Sequence, residues 1–234
     1  MSEQAVCLQP GFILQQRAYR ESSVLLELFT RDHGIVSLLA KGVRKQKSPL
    51  AGVLLAFTEL KVSYLGRHEL KTLTQAEYVQ HFDLQRLALY CGFYVNELLQ
   101  KFLYRHDPHP VLFDAYQRCL QQLASDAPIE QTLRYFELSV LQESGYGFDL
   151  SCDALRGGEV DSKRRYRYRA DVGMVEDEAG TVSGKTLQRL AQRAALEPPE
   201  LSEAKALLRV VVDHHLHGRP LKSREVLGNI IRYL

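Results

Sequence analysis

The chain has 234 residues, 45% hydrophobic and 25% charged, which is the balance of a folded polypeptide and far from that of a disordered one. Its 30 basic and 28 acidic residues leave a formal net charge of only +2, so a nucleic-acid partner has to be argued from where the charges lie, not from their sum. No segment has the apolar run of a bilayer span, Met1-Ser2-Glu3-Gln4 lacks a basic leader, and Cys7, Cys91, Cys119 and Cys152 stand apart without a CxxC pair; the expectation is a cytoplasmic protein with reduced thiols, no disulfide framework and no complete zinc site.

Short runs rich in branched apolar residues at Phe12–Tyr19, Val24–Thr30 and Ile35–Lys41 predict strands. Arg31-Asp32-His33-Gly34 separates the last two and offers Gly34 for a positive-φ turn position, so these two form a hairpin. Leu54–Tyr64 and Leu70–Tyr78 continue the series, with Leu65-Gly66-Arg67-His68 as the turn between them. Five strands in about eighty residues predict a small closed barrel, with the OB-fold as the commonest five-stranded form and an SH3-like barrel as the alternative.

The periodicity changes near His81. Leu84, Leu87, Ala88, Cys91, Val95, Leu98, Leu99 and Phe102 recur at helical spacing and predict one long amphipathic helix over 82–105. The prolines of His106-Asp107-Pro108-His109-Pro110 end it. A second helix is predicted over 111–124, and Asp126-Ala127-Pro128 opens a third that stops at Ser144-Gly145-Tyr146-Gly147. From Phe148 to Gly184 the chain is irregular and charged, with room for one short hairpin; helices return at 185–195 and 202–217, and a tail helix follows Ser223. The fold class is therefore multidomain α+β, divided as a barrel over 1–80, a helical domain over 81–147, an irregular basic segment over 148–184, and C-terminal helices over 185–234 that pack on the helical domain.

Two basic runs carry the nucleic-acid reading. Lys41-Gly42-Val43-Arg44-Lys45-Gln46-Lys47-Ser48 follows the third strand, with four cations, no acid and a glycine. A mobile loop of this kind follows a phosphate backbone, giving salt-sensitive, sequence-independent binding. Arg17, Arg20, Arg67 and Lys71 extend that surface if the barrel closes. In Lys163-Arg164-Arg165-Tyr166-Arg167-Tyr168-Arg169, strand alternation places Arg165, Arg167 and Arg169 on one face for phosphate and both tyrosines on the other for packing. The plain alternative for both runs is a solvated charged surface.

Other motifs are weaker. Ala179-Gly180-Thr181-Val182-Ser183-Gly184-Lys185-Thr186 satisfies a relaxed phosphate-binding loop, and Val210-Val211-Val212-Asp213 mimics an acidic magnesium-binding strand. Too little chain follows for the parallel sheet such a loop requires, and Val210–Asp213 lies in a helical pattern, so a turn and helix start explain the motif better. The histidines at 106/109 and 214/215/217 lack converging ligands for a metal, and the second group reads as a helix C-terminal cap. No nucleophile–base arrangement is visible: no catalytic residue, cofactor or metal is assigned. Finally, Phe113, Tyr116, Arg118 and Leu120 on one helix, with Arg134, Tyr135 and Leu138 on the next, read either as core or as a groove for a short acidic-hydrophobic peptide.

Several stretches resemble the RecO family of bacterial recombination mediators. Gly11-Phe12-Ile13-Leu14, Tyr19-Arg20-Glu21-Ser22-Ser23, Leu28-Phe29-Thr30-Arg31-Asp32-His33-Gly34 and Ala40-Lys41-Gly42-Val43-Arg44 with Lys47-Ser48 are similar to its N-terminal signature. Tyr94-Val95-Asn96-Glu97-Leu98, Gly145-Tyr146-Gly147 and Leu221-Lys222-Ser223-Arg224 are similar, less specifically, to its later part. The resemblance implies an N-terminal OB-fold, a helical domain, binding of single- and double-stranded DNA, strand annealing, and work with RecR to load RecA onto strands coated by single-strand-binding protein (SSB). It also implies docking of the SSB C-terminal tail on the helical domain, with Phe113, Tyr116, Arg118 and Arg134 as the site and Arg134 leading. Members with a four-cysteine zinc module carry CxxC pairs where this chain retains only Cys152, so a zinc-free member is expected. The competing readings are a phosphate-loop nucleotide hydrolase and a structural adaptor that binds protein alone.

Overall fold

A computed structural model describes residues 5–231, so the N-terminus read at Met1–Gln4 and residues 232–234 lie outside the described residues. The chain forms two compact units, one running to Ser125 and resuming at Ser223, the other Asp126–Lys222. The helical stretch expected over 81–147 is thereby divided: its first two helices pack on the barrel and on each other, and its third packs on a later helix.

In the first unit, β1 (Ala5–Tyr19), β2 (Ser23–Thr30), β3 (Gly34–Ala40), β4 (Thr58–Leu65) and β5 (Leu70–His81) close a barrel in the order β1-β2-β3-β5-β4. Neighbours are antiparallel except β3 and β5, which run parallel. Strand alternation turns Val24, Leu26 and Leu28 of β2, Val36 and Leu38 of β3, and Leu60, Val62 and Tyr64 of β4 into one apolar core. Gly34 has φ +62°, the conformation the hairpin turn requires. Its missing Cβ also leaves room for the backbone of Asp107.

β4 begins later than the expected Leu54. Leu54 N donates instead to Leu50 O at 3.0 Å, and Phe57 sits at φ +58°, which interrupts an extended run. The Lys41–Phe57 connection, expected as a loop, is a series of hydrogen-bonded turns: Lys45 N to Gly42 O, Ser48 N to Lys45 O, and Ala51 N to Ser48 O. Val43 and Leu54 anchor it by joining the barrel core.

Two helices, α1 (Arg86–Phe102) and α2 (Pro110–Leu123), follow the barrel. The first is shorter than the 82–105 helix expected, because both of its ends belong to the barrel. Phe82 N bonds to Phe57 O, and beyond the extended Leu103 the chain runs beside β3, where Arg105 bridges Ile35 and His106 N donates to Ile35 O. Pro110 opens α2, a first-turn position where its missing N–H costs nothing. Phe113 and Tyr116 of α2 pack on Phe12 of β1, with ring centroids 5.3 and 5.0 Å away, and Phe113 also meets Phe29 at 5.5 Å. The last helix, numbered α6 (Lys222–Ile231), is tied to α1: Ser223 N and Oγ donate to Glu97 Oε2 at 2.9 and 2.5 Å.

The second unit contains α3 (Ile129–Glu143), β6 (Arg165–Arg169), β7 (Gly173–Glu176), β8 (Val182–Ser183), α4 (Gly184–Gln192) and α5 (Pro198–His215). The expected hairpin gains a third strand, giving an antiparallel sheet in the order β7-β6-β8. α5 starts at Pro198 and not at the expected Ser202: both prolines fit its first turn, and Glu197 and Glu200 exchange the reciprocal bonds of a capping box. The stretch before β6 is held by Asp153, whose Oδ1 accepts from Leu155 N and Arg156 N and whose Oδ2 accepts from Glu176 N, each at 2.8 Å. Among the described residues no group of three or more His, Cys, Asp or Glu is placed to hold a metal ion, and no helix is long and apolar enough to cross a membrane.

Candidate nucleic-acid interface

The inward set of the barrel strands fixes the outward set. Gln15, Glu27, Ser37 and Leu70 pair in one line across β1, β2, β3 and β5, and Arg17, Leu25, Leu39 and Thr72 pair in the next. A bulge between Ile13 and Gln15 lets β1 bury two successive residues, Ile13 in the barrel core and Leu14, while keeping Gln15 and Arg17 outside. On this outer face lies a groove of about 390 Å³, floored by Leu25 and Leu70. Arg105 reaches across it. Its guanidinium binds Glu27 Oε1 at 2.9 Å and Glu69 Oε1 at 3.0 Å, and also donates to Ser37 Oγ. Burial first, then the Lys71 ammonium, lowers the pKa of neighbouring His106, with Glu69 opposing.

One end of the face is strongly basic. Ala40 pairs with Val24 and Tyr19 with Ser23, so the β1–β2 turn and the start of the β3–β4 connection lie at the same end of the barrel. There Arg44 donates through its side chain to Arg20 O at 3.1 Å and through its backbone to Ser22 O at 2.9 Å. Arg20 in turn lies over the Tyr19 ring, 5.3 Å from its centroid. Arg17, Arg20, Lys41, Arg44, Lys45 and Lys47 are all exposed, and none forms an ion pair with a carboxylate among the described residues. Arg67 is exposed in the β4–β5 turn. Lys71 differs: it stands opposite the core residue Leu38, is partly buried, and donates to His68 O at 3.3 Å, so it faces away from the outer surface.

The second basic run adopts the predicted alternation, with Arg165, Arg167 and Arg169 exposed and Tyr166 buried. Its cations, however, are largely neutralised from within. Arg165 pairs with Glu203 at 3.3 Å, Arg167 with Asp177 at 2.8 Å, and Arg164 with Glu176 at 2.6 Å. The Arg164 and Arg167 guanidiniums hold Glu176 and Asp177 below the usual carboxylate pKa. Arg169 is exposed and forms no ion pair among the described residues. Isolated cations and paired cations are not equivalent toward phosphate, because a paired one has to give up its carboxylate first.

The residues read as a peptide groove separate. Phe113 and Tyr116 are core, 2% and 0% exposed, which corrects their assignment to a docking surface: their rings hold α2 on β1. Arg118 is exposed on α2. Arg134 belongs to the other unit and is buried in α3 against Glu137 at 2.6 Å.

The phosphate-loop resemblance dissolves at this level. Glu203 Oε2 accepts from Ser183 N, Ser183 Oγ and Thr186 Oγ1, so a carboxylate of the chain itself sits where an anion would be cradled. Lys185 pairs with Glu200 at 2.9 Å, and Val210–Asp213 lies inside α5. Gly180 and Gly184 serve close packing against the backbone of Tyr166 and Asp161. The histidines of α5 are likewise structural: His215 stacks on Tyr146 with centroids 4.4 Å apart, and Tyr168 Oη lies 3.4 Å from its Nε2. Tyr19, Glu27, Glu69 and Arg105 were not singled out from the sequence, since only the strand register brings them to one face.

The first unit is thus a small closed five-stranded barrel with a groove on its outer face and a basic end, followed by helices. The comparisons make this specific. Residues 1–82 match the family model "Recombination protein O N terminal" and residues 81–225 match "Recombination protein O C terminal". The chain is 46% identical to the DNA repair protein RecO of Methylococcus capsulatus, over 94% of this chain and 93% of that one. It is 42% identical to the DNA repair protein RecO of Glaesserella parasuis (95% of each chain), and 42% identical to that of Aromatoleum aromaticum (97% of this chain, 98% of the other). The chain belongs to the RecO family.

Proposed function

We propose that this chain is a non-catalytic, DNA-binding mediator of repair and recombination, whose barrel is an OB-fold and whose DNA contact centres on Arg17, Arg20, Lys41, Arg44, Lys45 and Lys47. The reading rests on one observation above the others: these six exposed cations, unpaired among the described residues, cluster at one end of a grooved barrel face. The strand order with a parallel β3–β5 pair supports the OB-fold reading, and the names of the relatives support DNA repair. Cations held on one surface neutralise two strands at once and lower their mutual repulsion, so annealing needs no nucleotide. In the same reading the protein acts in the cytoplasm on single- and double-stranded DNA, works with RecR to load RecA onto SSB-coated strands, and takes the SSB C-terminal tail with Arg134 of α3 as the leading residue. Arg165 and Arg167 contribute less than the barrel cations because their charge is already spoken for, and Arg169 more than either.

The test is salt-dependent binding and annealing of labelled oligonucleotides without nucleotide. Reversing Lys41, Arg44, Lys45 and Lys47 to glutamate removes four phosphate contacts. At roughly 0.7–0.9 ions released per contact, the slope of log K against log salt falls by about 3. Unchanged affinity at low salt removes the site assignment. For the tail, Arg134→Ala is expected to weaken a fluorescent SSB-tail peptide in the same protein.

A further inference from the structure

The Arg105 bridge carries an inference about strand choice, which rests on the DNA-binding reading above. Its two carboxylates are unlike. Glu27 is four-fifths buried on β2, and its second oxygen receives Gln100 Nε2 from α1. Glu69 sits in the β4–β5 turn with its side chain 68% exposed. A pair to so exposed a carboxylate is weak and screened by solvent, whereas an arginine fork on phosphate makes stronger charge-assisted bonds. The guanidinium therefore has one anchored edge, on Glu27, and one exchangeable edge, on Glu69.

The groove beneath that edge has room for a small group. Its 390 Å³ lies near the lower end of ligand pockets, about 300–1,000 Å³. Leu70, 44% exposed, and the half-buried Leu25 supply an apolar floor, with Arg17 at the rim on the line that leads to the basic end. A base of an unpaired strand turns into such a pocket at little cost, whereas a base in a duplex must first leave its stack and its partner.

We propose that this groove is a single-nucleotide subsite selective for single strands: a base rests on Leu25 and Leu70, and its phosphate displaces Glu69 from Arg105 while Glu27 keeps the guanidinium aimed. Glu69 is then a specificity-determining residue that tempers the subsite. The Lys41–Lys47 cations serve single strands and duplexes alike.

The experiment compares the affinities of the full chain for an oligo-dT strand and for a blunt duplex. Glu69→Gln, a surface-turn change that leaves the core untouched, should raise the strand-to-duplex ratio about fivefold, the equivalent of about 1 kcal/mol. Arg105→Ala should lower that ratio below the wild-type value. A ratio unmoved by Glu69→Gln, or moved the same way by both variants, overturns the proposal. The four-cation reversal separates the two readings. If it weakens DNA binding while the ratio stays fixed in the Glu69 variant, only the subsite falls; if it leaves DNA binding intact, the DNA-contact assignment falls first.

Discussion

Tyr116 donates its hydroxyl to Asn96 Oδ1 at 2.6 Å, and Asn96 Nδ2 in turn donates to the carbonyl of Leu14 at 3.1 Å. This buried relay joins α2 to α1 and α1 to the bulged segment of β1, from which Gln15 and Arg17 emerge onto the outer face. Burial raises the Tyr116 phenol well above its ordinary pKa, so it remains a donor throughout the physiological range. The relay thus couples the helices to the geometry of the grooved outer face, and it explains why Tyr116 is unavailable to a docking peptide.

Asn96→Ala deprives both the Tyr116 hydroxyl and the Leu14 carbonyl of this partner. Leaving a buried polar group unsatisfied costs about 1–3 kcal/mol. The urea midpoint should fall accordingly with the slope unchanged. A midpoint equal to wild type would show that the relay contributes nothing to stability.

Val43 makes a different point, because it sits among the four cations and carries no charge. It is 5% exposed and packs in the barrel core with Leu54, so it fixes where Lys41, Arg44, Lys45 and Lys47 project. Val43→Ala removes two buried carbon atoms and is expected to cost about 1–2 kcal/mol. It should also weaken oligonucleotide binding several-fold at low salt while every cation remains. Binding that depends on charge count alone, with no loss in this variant, would show that the placement of the cations is unimportant.

Acid should loosen the segment before β6. Burial works against a charge on Asp153, but the N–H groups of Arg156, Glu176 and Leu155 outweigh it and hold its pKa below the ordinary carboxylate value. A group whose folded pKa is depressed stabilises the fold fully above its unfolded pKa, near 3.9, and loses that contribution as pH falls through the folded value. Amide exchange at Leu155, Arg156 and Glu176 should therefore accelerate selectively below about pH 4, once the intrinsic pH dependence is divided out. Asp153→Asn should show faster exchange at neutral pH and no further acid step of its own.

How much of this was legible in the sequence depends on whether a partner lies nearby along the chain. The strands of the barrel were readable because alternation and a glycine turn are local, and Gly34 took its positive φ as expected. That Gly34 also clears the backbone of Asp107 was not readable. The Lys41–Lys47 run was visible as a run, and its lack of acidic partners among the described residues only emerged from the fold. The second run illustrates the converse: alternation placed Arg165 and Arg167 correctly on one face, yet Glu203 and Asp177 arrive from α5 and the turn after β7 to pair with them. Phe113 and Tyr116 show the limit of helical periodicity, which marks an apolar stripe without saying whether strands or a ligand will cover it. Arg105 and Glu69 had no local signal at all; a parallel β3–β5 register and a linker laid beside β3 bring them together.

Glu203 decides between a nucleotide site and a helix start. Its carboxylate receives Ser183 N at 2.9 Å, Ser183 Oγ at 2.7 Å and Thr186 Oγ1 at 2.6 Å. Burial opposes the charge, but the Thr186 and Ser183 donors prevail and its pKa is lowered. The donors that a phosphate loop would offer to a nucleotide are thus engaged by a charged group supplied from α5, which also binds Arg165. Glu203→Ala should lower the thermal midpoint, since three donors and a guanidinium lose their acceptor together, each buried one at about 1–3 kcal/mol. In the wild-type protein, ATP with magnesium should leave the midpoint where it is. A nucleotide present at ten times its Kd would add about 1.4 kcal/mol, a shift of several degrees at this chain length by the usual scaling, about 2–4 °C per kcal/mol. Such a rise, abolished by Lys185→Ala, would restore the nucleotide reading that the Glu203 contacts exclude.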